Sequence, residues 1–318
     1  MVMKKTLLLV LVLVFLSACQ SQMKPGETPV PSIVTVATTP STPAIISSAS
    51  PVPSQTPSPL ASSTPDTRLP PERWREWPII PEKVSARTVE IYRQGQELGN
   101  NPQAFSKIGD CESTPTWFLG SFDGKPGDFS LGSNTNLQPV IEAFHGSFGR
   151  TSLAAGRGFS SANALTSLWA DRKACEANET PLACEIRVNR PAFALIMLGT
   201  NDVYHQDIFE TNMHKILDFL IQKGVVPILA TKADNLEGDS AFNATIARLA
   251  YEYDIPLWNF WLAVQPLPDH GLQPDGSHLT WAGPYFDDPA RMRAAWPWRN
   301  LTALQVLDVV WRNVSGKN

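Results

Sequence analysis

Three short polar segments of this sequence carry the residue types that nucleophilic catalysis requires. They read Gly109-Asp110-Cys111, Gly199-Thr200-Asn201-Asp202 and Asp275-Gly276-Ser277-His278. A nucleophile needs a base within hydrogen-bonding distance, and the base needs a group that orients it. Because Asp275 and His278 are three residues apart, the carboxylate can hold one ring nitrogen while the other acts as base on Cys111. The Asn201 side chain and a backbone N–H of a glycine-rich turn could then stabilise an oxyanion.

Two of these segments follow apolar runs that have the character of buried strands. Phe193 to Leu198 is apolar throughout and ends abruptly at Gly199, which is typical of a strand covered on both faces. Ala104 to Asp110 is a shorter, partly apolar run that we predict to be the first strand. Ligands of open α/β sheets bind at the carboxyl ends of the strands, so both segments are placed where a site is expected. Taken alone, Gly199 to Asp202 fits an ordinary strand-to-loop turn equally well.

The rest of the chain alternates between strand and helix patterns. Such alternation indicates βαβ units and a mainly parallel sheet, and therefore an α/β fold. Pro227 weakens one strand prediction, because proline cannot donate to the ladder. The further predicted strands are Val225 to Ala230, Ile255 to Trp258 and a strand with a glycine-rich turn within Phe148 to Ser161. The predicted helices are Leu137 to Phe144, Asp207 to Lys223, Ser240 to Tyr253 and Leu301 to Val314.

Taken together, the motifs resemble those of the SGNH hydrolase family, the GDSL esterases and lipases. The four family blocks correspond in order to Gly109-Asp110-Cys111, Gly158 (or Gly156), Gly199-Thr200-Asn201-Asp202 and Asp275-Gly276-Ser277-His278, within about Phe105 to Thr280. The resemblance implies a three-layer α/β/α sandwich with a flavodoxin-like sheet, and ester hydrolysis without a metal or cofactor. It makes Asp275 and His278 the acid and base. It places Asn201, Gly158 and the Cys111 backbone N–H in the oxyanion hole.

The departure from the family pattern is at the nucleophile, where Cys111 replaces serine. A thiol is intrinsically a good nucleophile, and an adjacent histidine can lower its pKa. Sulfur is larger than oxygen, however, and misplacement by about 1 Å can cost roughly a hundredfold in rate. Ser113 could serve instead only if the turn differed from that of the family. Cys111 could also be an inert buried residue of a domain without activity.

The N-terminus has the character of an export signal. Lys4 and Lys5 precede the apolar stretch Leu7 to Leu16, and small residues lead to Cys19. The segment Leu16 to Cys19 resembles a bacterial lipobox, which implies cleavage before Cys19, a lipid on Cys19 and attachment to a membrane outside the cytoplasm. A plain cleaved signal is the alternative. We therefore predict a signal peptide over 1–18, a Pro/Ser/Thr-rich disordered tether over 19–70 and an SGNH-like domain over 71–318.

Charge and cysteine content limit the remaining possibilities. A net charge of -4 argues against a nucleic-acid partner. Cys175 and Cys184 lie in the polar segment Ala174 to Glu185, which we predict to be a loop. In an exported protein a local disulfide between them is expected. Their spacing lacks the short interval and second pair of a zinc site, so no metal is predicted. Cys111 then remains unpaired.

The sequence therefore predicts an extracytoplasmic, lipid-anchored ester hydrolase. Its substrate would be an acyl or acetyl ester of a glycan or lipid, and its membrane contact would be the lipid on Cys19. The alternatives are a non-catalytic SGNH-fold binding module and a thioesterase or acyltransferase, because a thiol can hold an acyl group. A binding module has no chemical need for the Asp275–His278 pair, which favours an enzyme.

Overall fold

Four parallel strands form the centre of the protein, as the alternating pattern predicts. The computed structural model describes residues 68–317, so the predicted signal peptide, Cys19 and nearly all of the predicted tether lie outside the described residues. Within that range the strands are β1 (Asn101–Gly109), β2 (Pro191–Met197), β3 (Val226–Ala230) and β4 (Leu257–Trp258). They pair in the order β1-β2-β3-β4, and every pair is parallel. The predicted α/β fold with a mainly parallel sheet is confirmed.

The strand predicted within Phe148 to Ser161 is reduced to a single bridge. Gly109 and Ala155 form an isolated parallel bridge. Gly109 N–H donates to Ala154 O at 3.2 Å, and Gly156 N–H donates to Gly109 O at 3.1 Å. Both backbone groups of Gly109 are therefore used by this segment, which lies along β1 on the side opposite β2. The nearby glycines turn the chain away before a ladder can extend.

Eight α-helices accompany the sheet in the described chain. They are α1 (Ala86–Glu97), α2 (Gln138–Ala143), α3 (Ser161–Ala164), α4 (Pro181–Asn189), α5 (Gln206–Gln222), α6 (Ala241–Glu252), α7 (Phe260–Val264) and α8 (Ala295–Ser315). Helix α8 begins six residues before the predicted start. Pro297 lies in its first turn, where a missing N–H costs no intrahelical bond. Between residues 68 and 317, no helix combines the length and the apolarity that a bilayer crossing requires.

Helices cover both faces of the sheet, which gives the three layers that the family resemblance implies. The alternation of side chains along β1 shows this directly. Phe105 packs edge-on against Phe144 just after α2, with ring centroids 5.8 Å apart. Its neighbour Ser106 points the other way and hydrogen-bonds to Glu185 on α4 at 2.5 Å. Helices α1, α2 and α8 lie on the first face, and α4, α5 and α6 lie on the second.

The described chain starts against the amino end of the sheet. Arg68 Nη1 donates to Asp254 Oδ1 at 2.8 Å and to Tyr251 O at 3.1 Å. Its guanidinium also lies over the Tyr251 ring, 4.0 Å from the centroid. Asp254 lies three residues before the first residue of β4, so these contacts hold the first described residue at the edge where the strands begin.

The segment around the two remaining cysteines is partly helical, which corrects the loop prediction for Ala174 to Glu185. Thr180 caps α4 by accepting the Ala183 N–H at 3.2 Å, and Pro181 is the first helical residue. A threonine followed by proline is a known helix start that the polar composition concealed. Cys184 is buried on this helix and forms the predicted disulfide with Cys175.

Removing this disulfide should destabilise the protein moderately. The bridge closes a short loop, with a sequence separation of 9. Chain-entropy arguments for a loop of that size give about 2–3 kcal/mol. We expect the double variant Cys175→Ala/Cys184→Ala to lose about that much free energy of unfolding in urea. Reductant should destabilise the parent similarly and leave the variant unaffected; an unchanged unfolding midpoint in the variant would contradict the expectation.

Candidate active site

The Gly109-Asp110-Cys111 segment forms a tight turn at the carboxyl end of β1. Asp110 Oδ1 accepts the Glu112 N–H at 2.9 Å, which starts a 3-10 turn over Cys111–Ser113. A side chain at Gly109 would collide with Ser113 Oγ and with Met197 O of β2. The turn therefore requires glycine at this position, because its backbone packs directly against the adjacent strand. Cys111 is left half-buried, at the edge predicted for the site.

Ser113 does not offer an alternative nucleophile. It is 1 % exposed. Its Oγ is buried and makes no hydrogen bond within the described part of the chain. The hydroxyl lies under the turn, against Gly109, where no substrate can reach it. Of the two residues considered for this role, only Cys111 is accessible.

Asp275 and His278 are in contact, as their spacing predicts. His278 Nδ1 lies 2.6 Å from Asp275 Oδ2. The other carboxylate oxygen accepts the N–H groups of Ser277 and His278, each at 3.0 Å. These three hydrogen bonds hold the pKa of Asp275 down to about 2. The bond to Asp275 raises the pKa of His278 above its ordinary value, against a smaller effect of burial. The arrangement leaves Nε2 as the ring nitrogen available to a reacting group.

The residues predicted for the oxyanion hole lie on adjacent loops. Asn201 Nδ2 donates to Phe159 O at 3.1 Å, which joins the third block to the second. The amide of Gly156 is used by Gly109 O at 3.1 Å. The amide of Gly158 makes no hydrogen bond to any described residue. This difference favours Gly158 over Gly156 as the donor, and the oxyanion role itself stays a prediction.

Asp202 braces this loop from within. It is 1 % exposed and accepts hydrogen bonds from Ser161 N and Gly199 N, at 3.0 and 3.1 Å. Ser161 Oγ adds a third at 2.5 Å. Gly199 has a φ of 126°, a region that favours glycine. The sequence Gly-Thr-Asn-Asp thus folds on itself, with Asp202 turned inward and Asn201 half-buried at the rim.

The surroundings of Cys111 favour the thiol over the thiolate. Burial raises its pKa, and the negative charges of Asp110 and Glu112 raise it further. Within residues 68–317, no hydrogen bond joins Cys111 Sγ to His278. The thiol is therefore protonated near neutral pH. Transfer of its proton to His278 requires the two side chains to approach, as catalytic groups often do only when a substrate is bound.

A buried charge cluster behind the turn was not foreseen from the sequence. It consists of Asp110, Glu112, Lys232, Asp234, Glu237 and Arg299. Lys232 Nζ lies 2.6 Å from both Asp234 Oδ1 and Glu237 Oε2, and Arg299 Nη1 lies 2.9 Å from Glu112 Oε2. Burial and the Glu112 charge raise the pKa of Asp110 to about 7. The only sequence signals are that Lys232 follows β3 closely and that Arg299 interrupts an apolar helix.

The cluster is in contact with the predicted site. Thr200 Oγ1, in the third block, donates to Asp234 Oδ2 at 2.7 Å. A cavity of about 20 Å³ lies among Asp110, Glu112, Thr200 and Arg299, with Ser277 of the fourth block on its wall. It has the volume of about one water molecule. Three of the four blocks therefore border one small polar cavity.

One group in the described range has the spacing of metal ligands. Cys175, Glu179 and Cys184 offer ligand atoms within 4.8 Å of one another. The two sulfurs are joined in the disulfide. Disulfide sulfurs are not thiolates, the form in which cysteine binds zinc, so the group does not fit a metal as it stands.

Comparison with known proteins gives similarity to solved structures alone. No family model matches the chain, and a search of curated proteins finds no match. A GDSL-like lipase from Bacteroides thetaiotaomicron aligns with a TM-score of 0.39 and 16% identity, over 70% of this chain and 98% of that one. A proposed acylhydrolase from Bacteroides fragilis aligns with a TM-score of 0.42 and 17% identity, over 72% and 100%. Neither similarity assigns a role to a residue of this chain.

Replacing Asp275 by asparagine should lower the pKa of His278. The carboxylate is the largest cause of the raised value, and its loss removes the charge that favours the imidazolium. We expect the titration of the His278 ring, followed by NMR, to move to lower pH in Asp275→Asn. Asp287→Asn, at an exposed aspartate, is the matched control and should leave it in place. An unmoved titration in Asp275→Asn would show that the pair is not formed in solution.

Proposed function

We propose that this protein hydrolyses esters, with Cys111 as nucleophile, His278 as base and Asp275 as the group that orients His278. The observation that carries the proposal is the 2.6 Å hydrogen bond between His278 Nδ1 and Asp275 Oδ2. Its loop touches the Cys111 turn, because Leu279 N–H donates to Glu112 Oε1 at 2.9 Å. An oriented histidine on a loop that contacts the turn of an accessible thiol supports a role in nucleophilic catalysis.

The raised pKa of Cys111 favours a general-base mechanism over a preformed thiolate–imidazolium pair. The S–H proton passes to His278 Nε2 while sulfur bonds to the carbonyl carbon of the ester. The carbonyl oxygen becomes an oxyanion, to which the Cys111 and Gly158 amides and the Asn201 side chain can donate. The intermediate collapses, and the leaving alkoxide takes the proton from His278. Water then loses a proton to His278 and attacks the thioester, which releases the acid and restores the thiol.

Exposed aromatic side chains support an ester of a glycan or a lipid as the substrate. Trp117, Trp169, Tyr204 and Trp281 follow the four blocks in order, and all are 46 % exposed or more. Such rings combine an apolar face with a polar tip, which suits contact with a sugar or an apolar chain. We propose that the acyl or acetyl group is presented on a substrate with sugar or apolar faces.

A non-catalytic binding module is the second candidate, and one observation favours it. Burial and two carboxylates hold the Cys111 thiol protonated, and within the described residues His278 does not hydrogen-bond to it. A domain that keeps the residues of the site but whose cysteine does not react would show this same geometry. A thioesterase or acyltransferase would share the thioester intermediate and differ only in the acyl donor or acceptor.

Hydrolysis of short-chain nitrophenyl esters by the full-length protein in detergent tests the proposal. We expect Cys111→Ala and His278→Ala each to lose activity on the order of a thousandfold or more, since residues of such a unit act together. Activity of the parent should rise with pH as His278 loses its proton, because only the neutral ring can act as base.

The remaining outcomes separate the candidates. Full activity in Cys111→Ala would eliminate Cys111 as the nucleophile. An inactive parent that gains activity in Cys111→Ser would identify a silenced nucleophile. Inactivity of the parent and of Cys111→Ser alike would leave the binding module.

We also propose that the protein is held at a bacterial membrane, outside the cytoplasm, by a lipid on Cys19. The support is the basic, apolar and small-residue order of the first 19 residues. Cells fed an alkyne-tagged fatty acid should label the parent and not Cys19→Ser. Cys111→Ser is the matched control and should label normally. Equal labelling of Cys19→Ser, or none in the parent, would contradict this attachment.

A further inference from the structure

One carboxylate joins the two loops that the proposed reaction needs. Glu112 directly follows Cys111, and its Oε1 accepts the Leu279 N–H at 2.9 Å. Leu279 directly follows His278. The bond therefore connects residues one position away from the nucleophile and one position away from the base. Loops 167 residues apart in sequence are held together here by a single acceptor.

Arg299 of α8 fixes the orientation of that carboxylate. Its Nη1 donates to Glu112 Oε2 at 2.9 Å. Arg299 is 3 % exposed, and its guanidinium lies 5.1 Å from the ring centroid of Phe118 and 5.2 Å from that of Trp296. A guanidinium held between rings has little rotational freedom, and a charge-assisted bond has a narrow geometry. With Oε2 anchored in this way, Oε1 is directed at Leu279.

The charge of Glu112 gives no direct help to a thiol nucleophile. It raises the pKa of Cys111, which opposes thiolate formation, and it contributes to the raised pKa of His278. The other charged groups that interact with Glu112 are Asp110, Arg299, His278 and Asp234. Because the Glu112 carboxylate disfavours the thiolate of Cys111, its electrostatic effect does not explain its position next to the nucleophile. Its hydrogen bonds to Leu279 and Arg299 indicate a geometric role instead.

We propose that Glu112 is a positioning residue that holds the Cys111 turn and the Asp275–His278 loop at a fixed separation, with Arg299 as its anchor. The inference rests on the proposed function, in which Cys111 and His278 react together. Its structural content, the dependence of the two loops on Glu112, can be measured without any substrate.

A second buried carboxylate in the same chain provides a matched control. Glu185 accepts the Leu153 N–H at 2.8 Å and pairs with Arg150 Nη1 at 2.7 Å. It therefore makes the same two kinds of bond as Glu112, but it contacts neither the Cys111 turn nor the Asp275–His278 loop. A variant at Glu185 shows what loss of a buried ion pair does to stability alone.

The test compares Glu112→Ala, Glu112→Gln and Glu185→Gln in the full-length protein. The first readout is amide hydrogen exchange at Leu279, by NMR. We expect Glu112→Ala to speed this exchange roughly ten- to a hundredfold, since the amide loses a charged acceptor. Glu112→Gln keeps an oxygen at Oε1 and should retain most of the protection. It also keeps the test decisive if the alanine variant does not fold.

The second readout is the pH profile of Cys111 alkylation by iodoacetamide. In the parent the profile should contain a step at the pKa of His278 that His278→Ala lacks, because neighbouring groups titrate together. We expect Glu112→Ala to lose this step and Glu112→Gln to retain it. Glu185→Gln should lower the stability and keep both the step and the Leu279 protection.

Two results would overturn the proposal. One is a folded Glu112→Ala variant that keeps both the Leu279 protection and the His278-dependent step or, if the alanine variant unfolds, a folded Glu112→Gln variant that loses both. The other is a parent without that step. A step that depends on Glu112 in a protein without esterase activity would support the positioning role while refuting the proposed hydrolysis, so the two failures are distinguishable.

Discussion

The parallel pairing of four strands is the constraint on which the site depends. Parallel strands all end at one edge of their sheet, so each crossover returns the chain to the same side. Gly109 pairs with Met197 at the end of β1 and β2, and Ala230 pairs with Trp258 at the end of β3 and β4. The polar residues that follow these ends are thereby gathered without any direct sequence contact. The hydrogen bond between Glu112 and Leu279 completes the assembly by closing the last loop onto the first.

The same edge carries an unusual amount of buried charge. Two cations and four carboxylates lie within the buried charge cluster, and desolvation raises the pKa of Asp110 to about 7. Buried pairs contribute little net stability, whereas removal of one partner commonly costs about 3–5 kcal/mol. Such a cluster is therefore a poor way to stabilise a fold but an effective way to restrict it to one arrangement. Its position beside Cys111 is consistent with a requirement for geometric accuracy there.

Local sequence patterns were sufficient to predict the α/β fold of the protein. The apolar run ending at Gly199 predicts β2 to within two residues, and the Asp275–His278 spacing predicts the hydrogen-bonded pair, because both depend on residues close in sequence. The resemblance to SGNH hydrolases supplied the order of the blocks. The sequence does not predict helix α4, because its capping Thr180 lies in a polar segment with loop-like composition. Helix α8 begins before its predicted start because Pro297 is tolerated in the first turn of a helix.

The part of the site that depends on distant contacts could not be predicted. Nothing near Glu112 indicates that it accepts a hydrogen bond from Leu279, and nothing near Arg299 indicates a carboxylate partner. The inaccessibility of Ser113 also follows from packing, since a residue two positions from a half-buried cysteine can lie on either side of a turn. Contacts between residues more than a hundred positions apart are consequences of the whole fold. The residues next to either partner in a single sequence do not indicate such contacts.

The contacts of Arg68 with Asp254 and Tyr251 separate the first described residue from the candidate site. They hold Arg68 at the end of the sheet where the strands begin, whereas Cys111 lies where the strands end. The first described residue and Cys111 therefore lie at opposite ends of the strands. A change in the Arg68 contacts would act on the fold at the end of the sheet away from the candidate site.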